Sequence, residues 1–225
     1  MKLKTNSLFI RFAVAATVVL SISSCKKDNN NDLSANARIS FVNSVEGSAA
    51  QDAYINDVKV SASAIAYSNT ATDISTAAGS KTISFKNSGS ATVTASANVN
   101  ASENSSQTAL LVKQADGTMA INTYANDDNT VSGKAKVRFI NVAPILSNTI
   151  NVTTSTGTGI ISALAFKAAS AYQTIDANTN LNVNMSGSLE TTTIAGSELQ
   201  AGKIYTIWFD SSTSTKAKYH IIVQK

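Results

Sequence analysis

Residues 37–43, ARISFVN, return as AKVRFIN at 135–141, and in both stretches apolar and polar positions alternate before a closing asparagine. Three more pairs follow: Ile65-Ala66-Tyr67 with Leu164-Ala165-Phe166, Thr82-Ile83-Ser84-Phe85 with Asn182-Val183-Asn184-Met185, and Thr108 to Val112 with Tyr205 to Phe209. The offset stays between 97 and 100 residues in all four. A spacing held over that distance is the mark of a tandem duplication. It divides the chain into a first repeat at 37–125, a polar linker at 126–134 containing Gly133, and a second repeat at 135–225.

Within each repeat the apolar period is two, which is the strand signature, and turn residues recur at sandwich-like spacing. Ile39 and Phe41 face one way, Arg38 and Ser40 the other, and Val93, Ala95, Ala97 and Val99 follow the same logic. Ala109 to Val112 and Ile204 to Phe209 are apolar on both faces, as in a central strand covered on both sides. Asn56-Asp57 and Asp116-Gly117 are predicted hairpin turns, because Asn, Asp and Gly tolerate positive φ. Pro144, the only proline, falls just after a strand. The expected fold is all-β: two tandem immunoglobulin-like antiparallel β-sandwiches of about seven strands each, after a signal peptide and a disordered tether.

The run of ARISFVN, the hairpin YINDVKV at Tyr54 to Val60 and AGSKTISF at Ala78 to Phe85 resembles the family catalogued as domain of unknown function 4397. The second repeat keeps Phe139-Ile140-Asn141, Pro144, Leu164-Ala165-Phe166, Tyr172 and Ala201-Gly202-Lys203-Ile204-Tyr205. The usual Asn-Gly hairpin is Asn-Asp in the first repeat and unrecognisable in the second. The resemblance implies exported, lipid-anchored β architecture and no agreed activity.

The amino-terminal residues point to the same destination. Lys2, Lys4 and Arg11 precede the apolar run Phe12 to Leu20, and no acid appears before Cys25. That is the pattern of a secretory signal peptide, and nine residues, interrupted by Thr17, are too few to cross a bilayer core of about 30 Å. Ile22-Ser23-Ser24-Cys25 resembles the lipobox of bacterial, Bacteroidota-type lipoproteins, with Ile22 where leucine is commonest. The resemblance implies cleavage after residue 24, a diacylglyceryl group on the Cys25 thiol and a further acyl chain on the new amino terminus. Several chains on one residue anchor stably where one alone binds marginally. Residues 25–36 then form the lipidated cysteine and flexible tether, since Lys26-Lys27-Asp28 and Asn29 to Asp32 have little to bury. The expected location is the outer membrane of the cell envelope, on its surface or periplasmic face.

Charge excludes one class of partner. The whole chain carries 18 bases against 14 acids, but three of those bases leave with residues 1–24, so 15 face 14. No clustered basic footprint for nucleic acid remains. Because Cys25 is the only cysteine, the mature chain has no disulfide and depends on packing for its stability.

Catalysis needs a base beside a nucleophile, or converging carboxylates. His220, the only histidine, sits in the final strand and reads as a strand histidine facing solvent or a domain edge. Asp52, Asp57, Asp73 and Asp176 are scattered, and no serine lies in a G-x-S-x-G elbow. The chain is therefore expected not to be an enzyme and to need no cofactor. Asp127-Asp128-Asn129 offers oxygens without the spaced calcium loop, and no Cys/His set for zinc exists. Trp208 lies in the most apolar strand, where core filling is its expected work. Tyr54, Tyr67 and Tyr172, near strand ends, are candidate ligand-binding residues, because rings stack on sugar faces while amides and carboxylates take hydroxyls. Two functions follow: a non-catalytic envelope protein serving as spacer, adhesin or assembly component with an envelope protein as partner, or a carbohydrate-binding lipoprotein of a glycan-uptake system.

Overall fold

A computed structural model describes residues 36–225; the expected signal peptide, the expected lipobox Ile22 to Cys25 and nearly all of the expected tether lie outside the described residues. The first eight strands are β1 (Asn36–Asn43), β2 (Gln51–Ile55), β3 (Val58–Lys59), β4 (Thr70–Ala77), β5 (Gly79–Asn87), β6 (Val93–Ala101), β7 (Ser106–Lys113) and β8 (Met119–Ala125). The second eight are β9 (Lys134–Asn141), β10 (Ile150–Thr154), β11 (Gly159–Leu164), β12 (Gln173–Asp176), β13 (Leu181–Met185), β14 (Thr191–Ile194), β15 (Ile204–Asp210) and β16 (Lys218–Val223). A single 3-10 turn, Gly196–Glu198, precedes β15.

Four four-stranded sheets result, in the orders β4-β1-β7-β8, β3-β2-β5-β6, β12-β9-β15-β16 and β11-β10-β13-β14. The second pair repeats the first strand for strand. Each repeat has eight strands rather than about seven, and each contains one parallel pair, β1 with β7 and β9 with β15, in an otherwise antiparallel sandwich. Pairing also corrects the register of the repeat. Leu110 stands opposite Val42 on β1, and Trp208 stands opposite Ile140 on β9. Since Val42 and Ile140 are equivalent, β7 and β15 are related by 98 residues, not 97. Matching short apolar runs by composition cannot detect a one-residue slip, yet such a slip exchanges the two faces of a strand.

The asparagine that closes each first strand has a structural task. Asn43 Nδ2 donates to the Ile65 carbonyl at 3.2 Å and its Oδ1 accepts from Val45 N at 3.2 Å. Asn141 repeats both bonds, to the Leu164 carbonyl at 3.1 Å and from Ala143 N at 3.0 Å. The backbone carbonyls of Asn43 and Asn141 also accept from Ser68 N and Lys167 N, residues held at φ 66° and 67°. The repeated Ile-Ala-Tyr and Leu-Ala-Phe motifs are thereby pinned beside their first strands. Of the two predicted hairpins, Asn56 and Asp57 take φ 48° and 61° between β2 and β3, as a primed turn requires. Gly117, at φ 86°, turns β7 into β8.

Edge strands β4 and β11 each carry a bulge at a non-glycine residue of positive φ, Asp73 at 52° and Ala163 at 53°. The displaced amides donate to Ser40 Oγ at 3.0 Å and Asn151 Oδ1 at 2.9 Å. Bulges of this kind twist an edge away from pairing with another chain.

Three apolar cores hold the fold. One fills the first sandwich around Ile39, Phe41, Ile83, Phe85 and Leu111, and one fills the second around Val137, Phe139, Ile207 and Phe209. The third joins Val42, Leu110 and Val112 of the first repeat to Ile140, Val142, Trp208 and Ile222 of the second, with Tyr67, Tyr124 and Phe166 packed against it. The double-sided apolar strands read from the sequence are covered on their outer faces by the other repeat. Trp208 does fill a core, and that core is the joint, where its side chain is fully buried. Trp208→Ala should cost about 3–5 kcal/mol. Because the joint is shared, tryptophan fluorescence and far-UV circular dichroism should report one coincident denaturant transition; separate transitions would mean that the repeats unfold independently.

Candidate functional site

The residues with chemistry gather at the two rims of this joint. At the rim where β1 and β15 end, Asp210 closes β15 with a side chain only 7% exposed. It accepts from the Tyr67 hydroxyl, which crosses from the first repeat, and faces His220 Nε2 at 3.1 Å. His220 lies flat on Trp208, with ring centroids 3.9 Å apart and planes 15° apart, while Tyr67 meets both rings edge-on. Lys218 Nζ donates to the Tyr67 hydroxyl at 3.2 Å and pairs with Glu46 of the first repeat at 2.8 Å, with Asp210 at 3.6 Å. Ser212 Oγ donates to Glu46 at 2.9 Å. The result is a clasp between repeats. His220, expected at solvent or a domain edge, stands at the domain edge.

At the opposite rim Arg138 is 3% exposed. Its guanidinium donates to the Ala125 carbonyl, to Asn126 Oδ1 at 2.9 Å and to Thr206 Oγ1 at 2.8 Å, and lies 5.0 Å from the Tyr172 ring and 5.8 Å from the Tyr124 ring. Burial lowers its pKa from the usual arginine value. Neutral acceptors and ring faces offset the desolvation of this cation. Tyr172 donates its hydroxyl to Gln224 Oε1 at 2.6 Å, and Tyr124 donates to the Lys167 carbonyl at 3.0 Å. The linker is held as well: Asp127 pairs with Lys136 and Asp128 with Arg38. The two acids considered as calcium ligands are thus engaged with cations, and among the described residues no group of three His, Cys, Asp or Glu could hold a metal.

The candidate tyrosines do not meet. Tyr67 and Tyr172 occupy opposite rims, with their hydroxyls engaged, and Tyr54 lies on the outer sheet of the first repeat beneath Lys86 Nζ, 4.3 Å from its ring centre. Cys25 is outside the described residues. No motif or periodicity in the sequence singles out Asp210, Lys218, Glu46 and Arg138. Their only trace is broken symmetry, since Val112, Ala120, Pro144 and Ser40 stand at the equivalent positions.

Electrostatics locks the clasp below alkaline pH. Burial, then the hydrogen bond to Asp210, pushes Tyr67 up to about 12. Burial by itself would lower Lys218, but hydrogen bonds to Glu46 and Tyr67 and the charge of Asp210 outweigh it and hold it at about 12. Ordinary tyrosine and lysine titrate at 10.0 and 10.5, so over the interval up to about 12 the folded chain binds more protons than the unfolded one. Stability then falls as pH rises: the contribution is complete below pH 10 and lost through about 12. Urea midpoints measured across this interval should decline, and Tyr67→Phe should flatten the decline. An equal slope in that variant would contradict the assignment.

Residues 37–148 match the family model described as a domain of unknown function (DUF4397). The matched segment takes in the first sandwich, β9 and the turn after it. No curated protein matches the chain. Among solved structures it is similar to a family CBM26 module of Eubacterium rectale Amy13K, whose crystal structure is a complex with maltoheptaose. The identity is 10%, covering 81% of this chain and 96% of that one, with a TM-score of 0.29. So loose a superposition carries no argument about ligand or mechanism.

Proposed function

We infer that this chain, which belongs to the DUF4397 family through residues 37–148, is a non-catalytic, lipid-anchored protein of the cell envelope that presents two β-sandwiches as one stiff body. The observation that carries the reading is the joint. An apolar core between the repeats, closed at one rim by the Tyr67–Asp210–His220–Lys218–Glu46 clasp and at the other by Arg138 and the linker pairs, suits a spacer, adhesin or assembly component. Such roles need a fixed separation between anchor and partner. The blunted edges of β4 and β11 suit a molecule displayed at high density without strand pairing between copies.

The anchor is Cys25, held by acyl chains in the outer membrane and followed by the 25–36 tether, with the repeats at 37–125 and 135–225 beyond it. Among the described residues no helix is long and apolar enough to cross a membrane. The absence of catalysis is supported by the way the candidate groups are engaged. His220 is stacked on Trp208 and shared with Asp210 and Tyr67, and Tyr67, with its pKa near 12, holds its proton at neutral pH. Tyr54, Tyr67 and Tyr172 do not assemble into one aromatic platform, so a glycan-uptake role does not rest on them jointly.

Cell fractionation tests the anchor. The natural protein should sediment with the outer membrane and carry an acylated amino-terminal cysteine by mass spectrometry, while Cys25→Ala should be released in folded form. An unmodified thiol, or Cys25→Ala still membrane-bound, would overturn it. Protease treatment of intact cells then separates surface display, where the folded body is degraded, from the periplasmic face, where it survives.

A further inference from the structure

At the Arg138 rim a cleft of about 430 Å³ opens to solvent. Its walls come from the turn after β6, with Asn104, Ser105 and Ser106, and from the linker, with Asn126, Asp127, Asp128 and Asn129; Tyr172 of the second repeat completes it. We propose that this cleft is a binding subsite for a neutral saccharide, with the Tyr172 ring as the stacking surface and Asn104, Asn129 and Asp127 as hydroxyl partners. The proposal goes beyond the presentation role and does not depend on how the chain is anchored.

The lining has the chemistry that sugars require. An aromatic ring takes the apolar face of a pyranose, while amides both donate to and accept from hydroxyls and carboxylates accept from them. Two other clefts lack this combination. The cleft of about 590 Å³ in the second repeat presents threonines, asparagines, Lys134 and Asp176 without an aromatic ring, and that of about 430 Å³ beside β4 has aliphatic residues, hydroxyls and the one amide of Asn69, again without a ring.

The groups are also held in advance. The Tyr172 hydroxyl is tied to Gln224 Oε1, and Arg138 and Lys136 lie 5.0 and 5.7 Å from the ring centre, so the half-exposed ring is fixed in place. Asn104, exposed at φ 54°, tops a turn whose Ser105 carbonyl accepts from Arg38 N at 2.9 Å. The Lys136 hydrogen bond, then that from Asn129 N, holds the Asp127 carboxyl below its ordinary range, so it stays an acceptor. Side chains already ordered lose little freedom on binding. The charged groups nearest the cleft are already engaged, Asp127 with Lys136, Asp128 with Arg38 and Lys225 Nζ with the Asp128 carbonyl at 3.0 Å, so recognition falls to the ring and the amides, as for a neutral sugar.

Saturation-transfer NMR and titration of the whole mature protein with cellotriose, maltotriose, chitotriose and trigalacturonate tests this. At least one neutral trisaccharide should bind, and trigalacturonate should bind more weakly. Tyr172→Leu should weaken binding about tenfold or more and Asn104→Ala about fivefold, changes of about 1–1.4 kcal/mol. Tyr172→Phe, which keeps the ring, should change it less than about twofold. Asn104 is exposed on a turn, so its variant tests the cleft even if Tyr172→Leu loosens the joint. Binding by none of the four, preference for trigalacturonate, or neutral binding unchanged in both Asn104→Ala and Tyr172→Leu would overturn the proposal.

Discussion

The packing of one repeat's outer sheet face against the other's is the contact on which the remaining features depend. Val42, Leu110 and Val112 are completely buried although they point away from their own sandwich core. A sandwich of about 90 residues buries a modest share of its surface, and with no disulfide available it cannot also leave such a face in water. Covering each face with the other joins two small cores and one shared core into a single packed body. Trp208, the largest side chain in the shared core, supplies more buried area there than any other residue.

Duplication produced the two faces, and divergence made them unlike. Leu110, Val112, Ala120 and Asn122 of the first repeat stand where the second has Trp208, Asp210, Lys218 and His220. Tyr67 of the first repeat stands where the second has Phe166. The hydroxyl on one side therefore meets a carboxylate, an imidazole and an ammonium on the other, whereas the mirrored combination of Phe166 with Val112 and Asn122 offers no such set. The clasp is asymmetric for this reason. Arg138, opposite Ser40 in the repeat alignment, is the same kind of change: one long cation reaches the Ala125 carbonyl, the Asn126 side chain and rings that a serine cannot touch.

Legibility followed the range of the interactions. The Asn56-Asp57 and Asp116-Gly117 turns, the period of two and the recurrence of the asparagine-ended strand are local, and each appears where the sequence places it. The tyrosines were recognisable as notable residues but not as neighbours. Tyr67 finds Asp210 143 residues away, and Tyr172 finds Gln224 52 residues away. A residue type announces what chemistry is available; which partner satisfies it depends on pairings that span the duplication.

The amino-acid sequence by itself determined the all-β class, the doubling of the unit and the near balance of charge, because propensity, periodicity and composition act over a few residues or as sums. Tertiary structure alone decided that Ala109 to Val112 and Ile204 to Phe209 are apolar on both faces on account of a neighbouring repeat. It also decided the 98-residue register and the gathering of Glu46, Tyr67, Asp210, Lys218 and His220 at one rim. Those outcomes are set by which strand lies beside which, and hydrogen-bond register across a sheet has no counterpart in the linear spacing of residues.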